Sequence, residues 1–202
     1  MTGEMFPVIA VERVDPAEVN RLLVEWAHPL GACERPFHQD AHVLIVHGRA
    51  TACTMSASTV SATCGGMDRE TLVELARIAR RPDAPWALRT MLRLWRDVLA
   101  HLWPSWPVAA AVSYAMPGTP GSLYRFDGWE RVGCVAPSSG GGTWSSKPKV
   151  NAVADGVKTL WRYVYPTFSF PRVEAPHIVD MHLGGGLPPL PSTNPTSTNE
   201  ES

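Results

Sequence analysis

Ser113, Tyr114, Tyr124 and Asp127 bring a hydroxyl, two phenols and a carboxylate into one short stretch of chain. Pro107–Ala115 (PVAAAVSYA) reads as a buried strand, Pro117–Gly121 as a turn, and Ser122–Asp127 as a short helix that Gly128 terminates. The four side chains therefore fall at the carboxyl end of a strand and in the helix after it, where open α/β sheets gather ligands. They are the candidate catalytic residues. Asp127 suits proton acceptance or a hydrogen bond to a ligand's edge, and equally the closing of its helix. Tyr114 suits a crevice or the core.

A second group follows the stretch Thr71–Arg80 (TLVELARIAR), which reads as a strand because the Pro-rich break Arg81–Pro85 cuts it off from a much clearer helix. A helix N-terminus offers unpaired N–H groups and a partial positive charge to a phosphate, and Arg80 and Arg81 add full charges at its mouth. His28, Cys33, His38 and His42 lie close together in sequence, but their spacing matches no standard zinc site and no CxxC pair exists, so no metal is expected. Gly140–Lys149 is a Ser/Gly loop carrying Trp144, Lys147 and Lys149. An aromatic that stacks on a base and lysines that hold phosphates would grip a nucleic-acid strand there; the alternative is a solvent loop with the indole folded back.

The elements that must position these groups follow from pattern. Phe6–Val14 suits a first strand. Asp15-Pro16 opens a helix, with Asp15 as cap and Pro16 at the first helical position, and Val19, Leu22, Leu23 and Trp26 recur along one face. His42–His47 and Ala50–Val60 form a hairpin about Gly48-Arg49, and Cys64-Gly65-Gly66 is a loop. Trp86–Trp103 places Leu88, Met91, Leu92, Trp95, Val98, Leu99 and Leu102 on one stripe, so a single long helix is expected before Pro104. Trp129–Ala136 and Thr159–Tyr165 are the last strands. The order β-α-β-β-β-α-β-α-β-β predicts an α/β fold, a mixed central sheet covered on both faces by helices.

Composition bounds the rest. The chain has 202 residues, 45% of them hydrophobic, and a net charge of -1. That supports one domain over 1–166, while 167–202, with little to bury, is expected to be a disordered tail. The charge is divided: Arg69–Arg162 holds 13 Lys/Arg against 7 Asp/Glu, a basic segment suited to an anionic ligand. No run is long enough to span a bilayer and no secretory signal is present, so a cytoplasmic protein is expected, with Cys33, Cys53, Cys64 and Cys134 as free thiols.

Leu123-Tyr124-Arg125-Phe126-Asp127-Gly128-Trp129-Glu130-Arg131-Val132-Gly133 resembles the LYEKxGFExVG segment of the GNAT acyltransferases, and the element order is that of their fold. The resemblance implies that Tyr124 protonates a leaving CoA thiolate. It also implies that Ile78, Arg80, Arg81, Ala84 and Trp86 line the pyrophosphate cradle of acetyl-CoA or a related acyl donor. The family's cradle is Q/R-x-x-G-x-G/A; here Arg80–Pro85 reads RRPDAP, without glycine. A narrower set resembles the Mom-like phage DNA-modification branch: Ala27-His28-Pro29, Leu75-Ala76-Arg77-Ile78, Val112–Pro117, Gly121-Ser122-Leu123, Gly128-Trp129 and Gly140–Ser145 with Lys147-Pro148-Lys149. That resemblance implies transfer of a small group to the exocyclic amine of adenine in DNA, shielding phage DNA from restriction. His28, Trp144, Lys147 and Lys149 would then face the DNA. The same fold would also serve a CoA-dependent N-acetyltransferase of a small amine or protein, or a non-catalytic module that binds nucleic acid or protein.

Overall fold

The computed structural model describes residues 9–35, 37–135 and 157–166. Seven strands form one sheet: β1 (Ile9–Val14), β2 (Gln39–Val46), β3 (Arg49–Ala57), β6 (Leu72–Arg80), β7 (Ala110–Ala115), β8 (Glu130–Val135) and β9 (Lys158–Val164). Their spatial order is β1-β2-β3-β6-β7-β9-β8. Among the described residues only β6 and β7 pair in parallel, and the other strand pairs of this sheet are antiparallel. A parallel pair needs a crossover, supplied here by helix α2 (Ala87–Asp97).

Helix α1 (Pro16–Glu25) lies on one face. The Asp15 carboxylate accepts from the Ala17 amide, and Val19, Leu22 and Leu23 pack on Ala41, Val43, Cys53 and Met55. On the other face α2 buries Met91, Leu92 and Trp95 against Leu44, Ala52, Val73 and Leu75. The expected long helix stops at Asp97: Val98 leaves helical geometry (φ -130°, ψ -62°) and a 3₁₀ turn over Leu99–Leu102 takes over. That tighter turn keeps Leu99, Ala100 and Trp103 on the core, so the apolar stripe survives while the helix does not. Trp86 lies just outside α2 and is half exposed.

The Cys64-Gly65-Gly66 loop is a small hairpin, β4 (Thr63–Cys64) with β5 (Met67–Asp68). Gly65 and Gly66 both have positive φ, 58° and 79°, as a two-residue hairpin turn requires. The Arg162 guanidinium donates to Gly65 O and lays the hairpin on Leu160 and Val132 beneath β9 and β8. The strand expected over Ala50–Val60 ends at Ala57, where the chain turns off the sheet and the Ser58 amide donates to His38 O. The proposed tail 167–202 and the loop with Trp144, Lys147 and Lys149 lie outside the described residues.

Candidate functional site

The sheet opens in its middle. Strand β6 pairs with β7 only from Leu72 to Leu75, opposite Ala110 to Ser113. Beyond that point β6 continues to Arg80 beside β3, and β7 continues to Ala115 beside β9. Residues 76–80 therefore present a strand edge to a notch inside the sheet rather than at its margin. A β-bulge lies at the same place. Ser56 pairs with Leu75 and Met55 with Arg77, which leaves Ala76 as the extra residue. Bulges re-aim side chains; this one brings Arg77 to the face that Glu74 already occupies.

On the α2 side the notch ends in a hydroxyl pair. Ser113 Oγ donates to Leu75 O at 2.9 Å, and Tyr124 OH lies 2.9 Å from Ser113 Oγ. Because the serine proton is committed to a carbonyl, the phenol donates to Ser113. Tyr124 sits on helix α3 (Ser122–Arg125), its ring stacked on Trp161 and edge-on to Trp129. It is 7% exposed, so the phenol lies within the packed wall of the notch. Burial raises its pKa, with Glu74 adding to the effect, and the phenol stays neutral.

Asp127, named from sequence as a proton acceptor, has its carboxylate engaged by Arg89 Nε at 3.1 and 3.2 Å and by Arg93 Nε at 2.6 Å. Arg96 holds its carbonyl oxygen. These bonds outweigh burial and lower its pKa, so the group is a clasp between α2 and the α3 turn rather than a base. The clasp fixes the helix that carries Tyr124.

The α1 side is charged. Glu74, buried at 3% exposure, accepts from Arg35 Nη2 at 2.5 Å. Arg77 spends its guanidinium on carbonyls of the α1–β2 loop, Gly31 O and Ala32 O, and on Ala76 O. Desolvation raises the Glu74 carboxyl, and Arg35 and Arg77 oppose that rise. Tyr114 OH meets Cys64 Sγ at 3.3 Å, so this tyrosine is on the face opposite Tyr124. Burial pushes both that phenol and that thiol up, which keeps them protonated.

His28 belongs to this side too. Helix α1 closes with His28 N donating to Leu23 O and Ala27 N to Val24 O, the Schellman pattern, with Ala27 rather than glycine at φ 51°. The imidazole Nδ1 accepts from the Leu30 amide. Burial, then Arg77, lowers its pKa to about 4, so it is neutral at ordinary pH.

The cradle residues are differently placed. Ile78 and Ala84 pack into the core. Arg80 donates to Arg81 O and Pro82 O, and Arg81 pairs with Asp83. The guanidiniums expected to hold phosphate thus hold their own turn. Trp86 alone of that set stands open. Sequence reasoning missed Glu74 and Arg35 as site residues; the signal for Glu74 was a lone carboxylate at a core position of an apolar strand, between Leu72 and Ala76.

No family model matches the chain, and no curated protein matches it. Its fold is similar to that of the ribosomal-protein-S18-alanine N-acetyltransferase from Escherichia coli, with TM-score 0.54 and 11% identity over 81% of this chain and 97% of that one. It is also similar to AAC(6')-Ib in complex with parmomycin and acetyl-CoA (TM-score 0.53, 13% identity, 83% of this chain, 99% of that one). An acetyl transferase from Salmonella typhimurium, described as modifying the N-terminal serine of a 50S ribosomal subunit protein, matches with TM-score 0.51 and 7% identity over 79% and 96%. The mixed sheet with helices on both faces expected from the sequence is thus the GNAT-like acetyltransferase fold.

Proposed function

We propose that the chain is an N-acyltransferase that moves an acyl group from a CoA thioester to an amine. The observation that carries this reading is the split between β6 and β7 with the Ser113–Tyr124 pair at its closed end. An amide-bearing pantetheine arm fits such an edge, because residues 76–80 can take it as an added strand. The amine lone pair attacks the thioester carbonyl, the C–N bond forms and the C–S bond breaks. The amine sheds its proton to water, and the departing thiolate takes the proton of the Tyr124 phenol, which water restores. The AAC(6')-Ib structure, whose likeness in fold supports the reading, holds acetyl-CoA.

The acceptor side supports a narrower reading. Arg35 and Arg77 flank it, and the carboxylate in that cluster, Glu74, is committed to Arg35. An aliphatic ammonium would be repelled there and would find no free base, whereas a weakly basic aryl amine arrives neutral. The exocyclic amine of a DNA base has that character. Adenine is the base modified in the Mom-like branch that the sequence resembles, and its modification would shield phage DNA from restriction.

The test uses purified protein, isotope-labelled acetyl-CoA and separate pools of DNA, small aliphatic amines and proteins. Label should enter one pool, and Tyr124→Phe should cut the rate about 100-fold or more without weakening donor binding. Mass spectrometry of digested nucleosides decides the DNA reading. Label in amines alone would leave the transferase and remove the DNA acceptor; no transfer into any pool would remove both.

A further inference from the structure

The α1 side of the notch holds more positive charge than its carboxylate balances. Arg35 and Arg77 share Glu74, and Arg35 is the one that bonds to it. The bulge at Ala76 brings Arg77 to this face, where it donates to Gly31 O, Ala32 O and Ala76 O. Carbonyl oxygens satisfy its N–H groups but carry no formal charge, so the guanidinium remains a full cation. Lys158 acts on Glu74 through space in the same direction as the two arginines. The Tyr114 phenol and the Cys64 thiol meet at 3.3 Å and stay protonated, so they offset nothing.

Position matters as much as sign. Glu74 stands opposite Val112, one step before Leu75 and Ser113, the last paired residues of β6 and β7. The Arg35–Glu74 pair therefore lies at the closed end of the notch, where the proposed reaction brings nitrogen to the thioester. Arg35 comes from the α1–β2 loop, which is held at both ends. Asn20 Oδ1 accepts from the Cys33 amide at 2.7 Å, and Gln39 Nε2 donates to Arg35 O at 2.9 Å. The Arg35 side chain meets Glu74 through Nη2 and keeps 23% exposure. A guanidinium carries five N–H groups in a fixed fork, so this one can hold a second oxyanion while it keeps Glu74. Partly buried guanidiniums with one carboxylate between two of them suit an incoming anion, since desolvated charge is tolerated only when paired.

Resting on the acyl transfer described above, we propose that the acceptor carries an oxyanion, a phosphate or a carboxylate, beside its amine, and that Arg35 binds this group while bridging to Glu74. Arg77 stays in its carbonyl bonds and contributes field rather than contact. The anion draws the acceptor to the α1 wall and aims its amine at the split between β6 and β7. An acceptor without the anion loses that anchor. A nucleotide phosphate and the carboxylate of an aminobenzoate both supply the chemistry.

Rates of label transfer from acetyl-CoA to matched acceptors test this: deoxyadenosine 5′-monophosphate against deoxyadenosine, and 4-aminobenzoate against 4-aminobenzamide. In at least one pair the anionic member should have a kcat/KM higher by about 10- to 100-fold, the worth of one hydrogen bond between charged groups, carried mostly by KM. The pair that shows it names the source of the anion. Arg35→Lys keeps Glu74 paired but loses the fork, and should cut the preference at least about threefold. Arg35→Met with Glu74→Leu removes the bridge without stranding a charge, and should leave a preference of about twofold or less. Thermal melts check folding, and Arg35→Lys decides alone if the double variant does not fold. A preference unchanged in the folded variants places the anion elsewhere and overturns the inference. Equal or faster transfer to the neutral members overturns it and leaves the transferase reading intact. Label in none of the four acceptors, with label in DNA, aliphatic amines or proteins, has the same meaning. No transfer into any acceptor removes both.

Discussion

The two sides of the split sheet are built on opposite electrostatic plans. Toward α2 the notch is walled by neutral groups: the Tyr124 phenol, Ser113, and the indoles of Trp129 and Trp161. Toward α1 it is walled by a buried carboxylate, two guanidiniums and a neutral imidazole. A neutral phenol can be buried with one hydrogen bond and needs no counter-charge, whereas a buried carboxylate is tolerated only when paired. The difference divides the labour of the proposed transfer. In that proposal one side holds a phenol that stays protonated at ordinary pH until the thiolate departs, and the other sorts acceptors by charge.

The largest effect on this contrast should come from Arg35→Ala. It leaves Glu74 at 4% side-chain exposure without its hydrogen-bonded partner, with Arg77 and Lys158 acting on it only through space, and breaking a buried pair in this way costs about 3 kcal/mol. Urea unfolding would register the loss. The double variant Arg35→Met with Glu74→Leu should recover most of it, because the stranded charge is gone. If the double variant is as unstable as the single one, the α1 side owes its stability to shape and not to the pair.

Gly121→Ala tests the neutral side and should cost about 2–3 kcal/mol. Its φ is +62°, which costs an L-residue about 1–2 kcal/mol, and an added Cβ would lie 2.6 Å from Trp161 Cε2 and Nε1. Trp161 is the ring on which Tyr124 stacks, so near-ultraviolet circular dichroism should change as well. Gly118→Ala is the control: at φ +75° with nothing within 4 Å, it should incur the backbone cost alone. Equal losses at the two positions would mean that Trp161 yields freely and does not hold the phenol.

Periodicity exposed most of this architecture and little of the site's electrostatics. Asp15-Pro16, the α2 stripe and the apolar strands are local signals, and the elements follow them. The Arg35–Glu74 pair joins residues 39 apart in sequence, and no local pattern announces it. The bulge at Ala76 arises from strand pairing with β3, since Leu-Ala-Arg-Ile reads alike with or without an extra residue. The resemblance singles out Tyr124 as a candidate but says nothing of its burial: a four-residue helix does not tell which wall it will press against. Arg80 and Arg81 misled for a related reason. Charge at a turn invites a ligand in sequence, while in the fold the turn's own carbonyls and Asp83 take it first.

The smallest effect is the acid response of the charged side. His28 is held to about 4 by burial and by Arg77, against 6.5 for the free group. Between those values the unfolded chain binds a proton that the folded chain refuses. The contribution of His28 is therefore complete above pH 6.5 and is lost as the pH falls toward 4. By pH 5.5 the loss should be about 1 kcal/mol. His28→Asn keeps an acceptor near the Leu30 amide and removes the titration. Chemical denaturation at pH 7.5 and 5.5 should then show a smaller pH slope in the variant, with the difference confined to this window. His42 is also buried, and burial lowers its pKa, with Asp40 opposing and Arg13 adding. A residual slope of the same sign should therefore persist. An unchanged slope in His28→Asn would mean that the imidazole is solvated beside Arg77, and the α1 wall would then be less closed than the neutral wall across the notch.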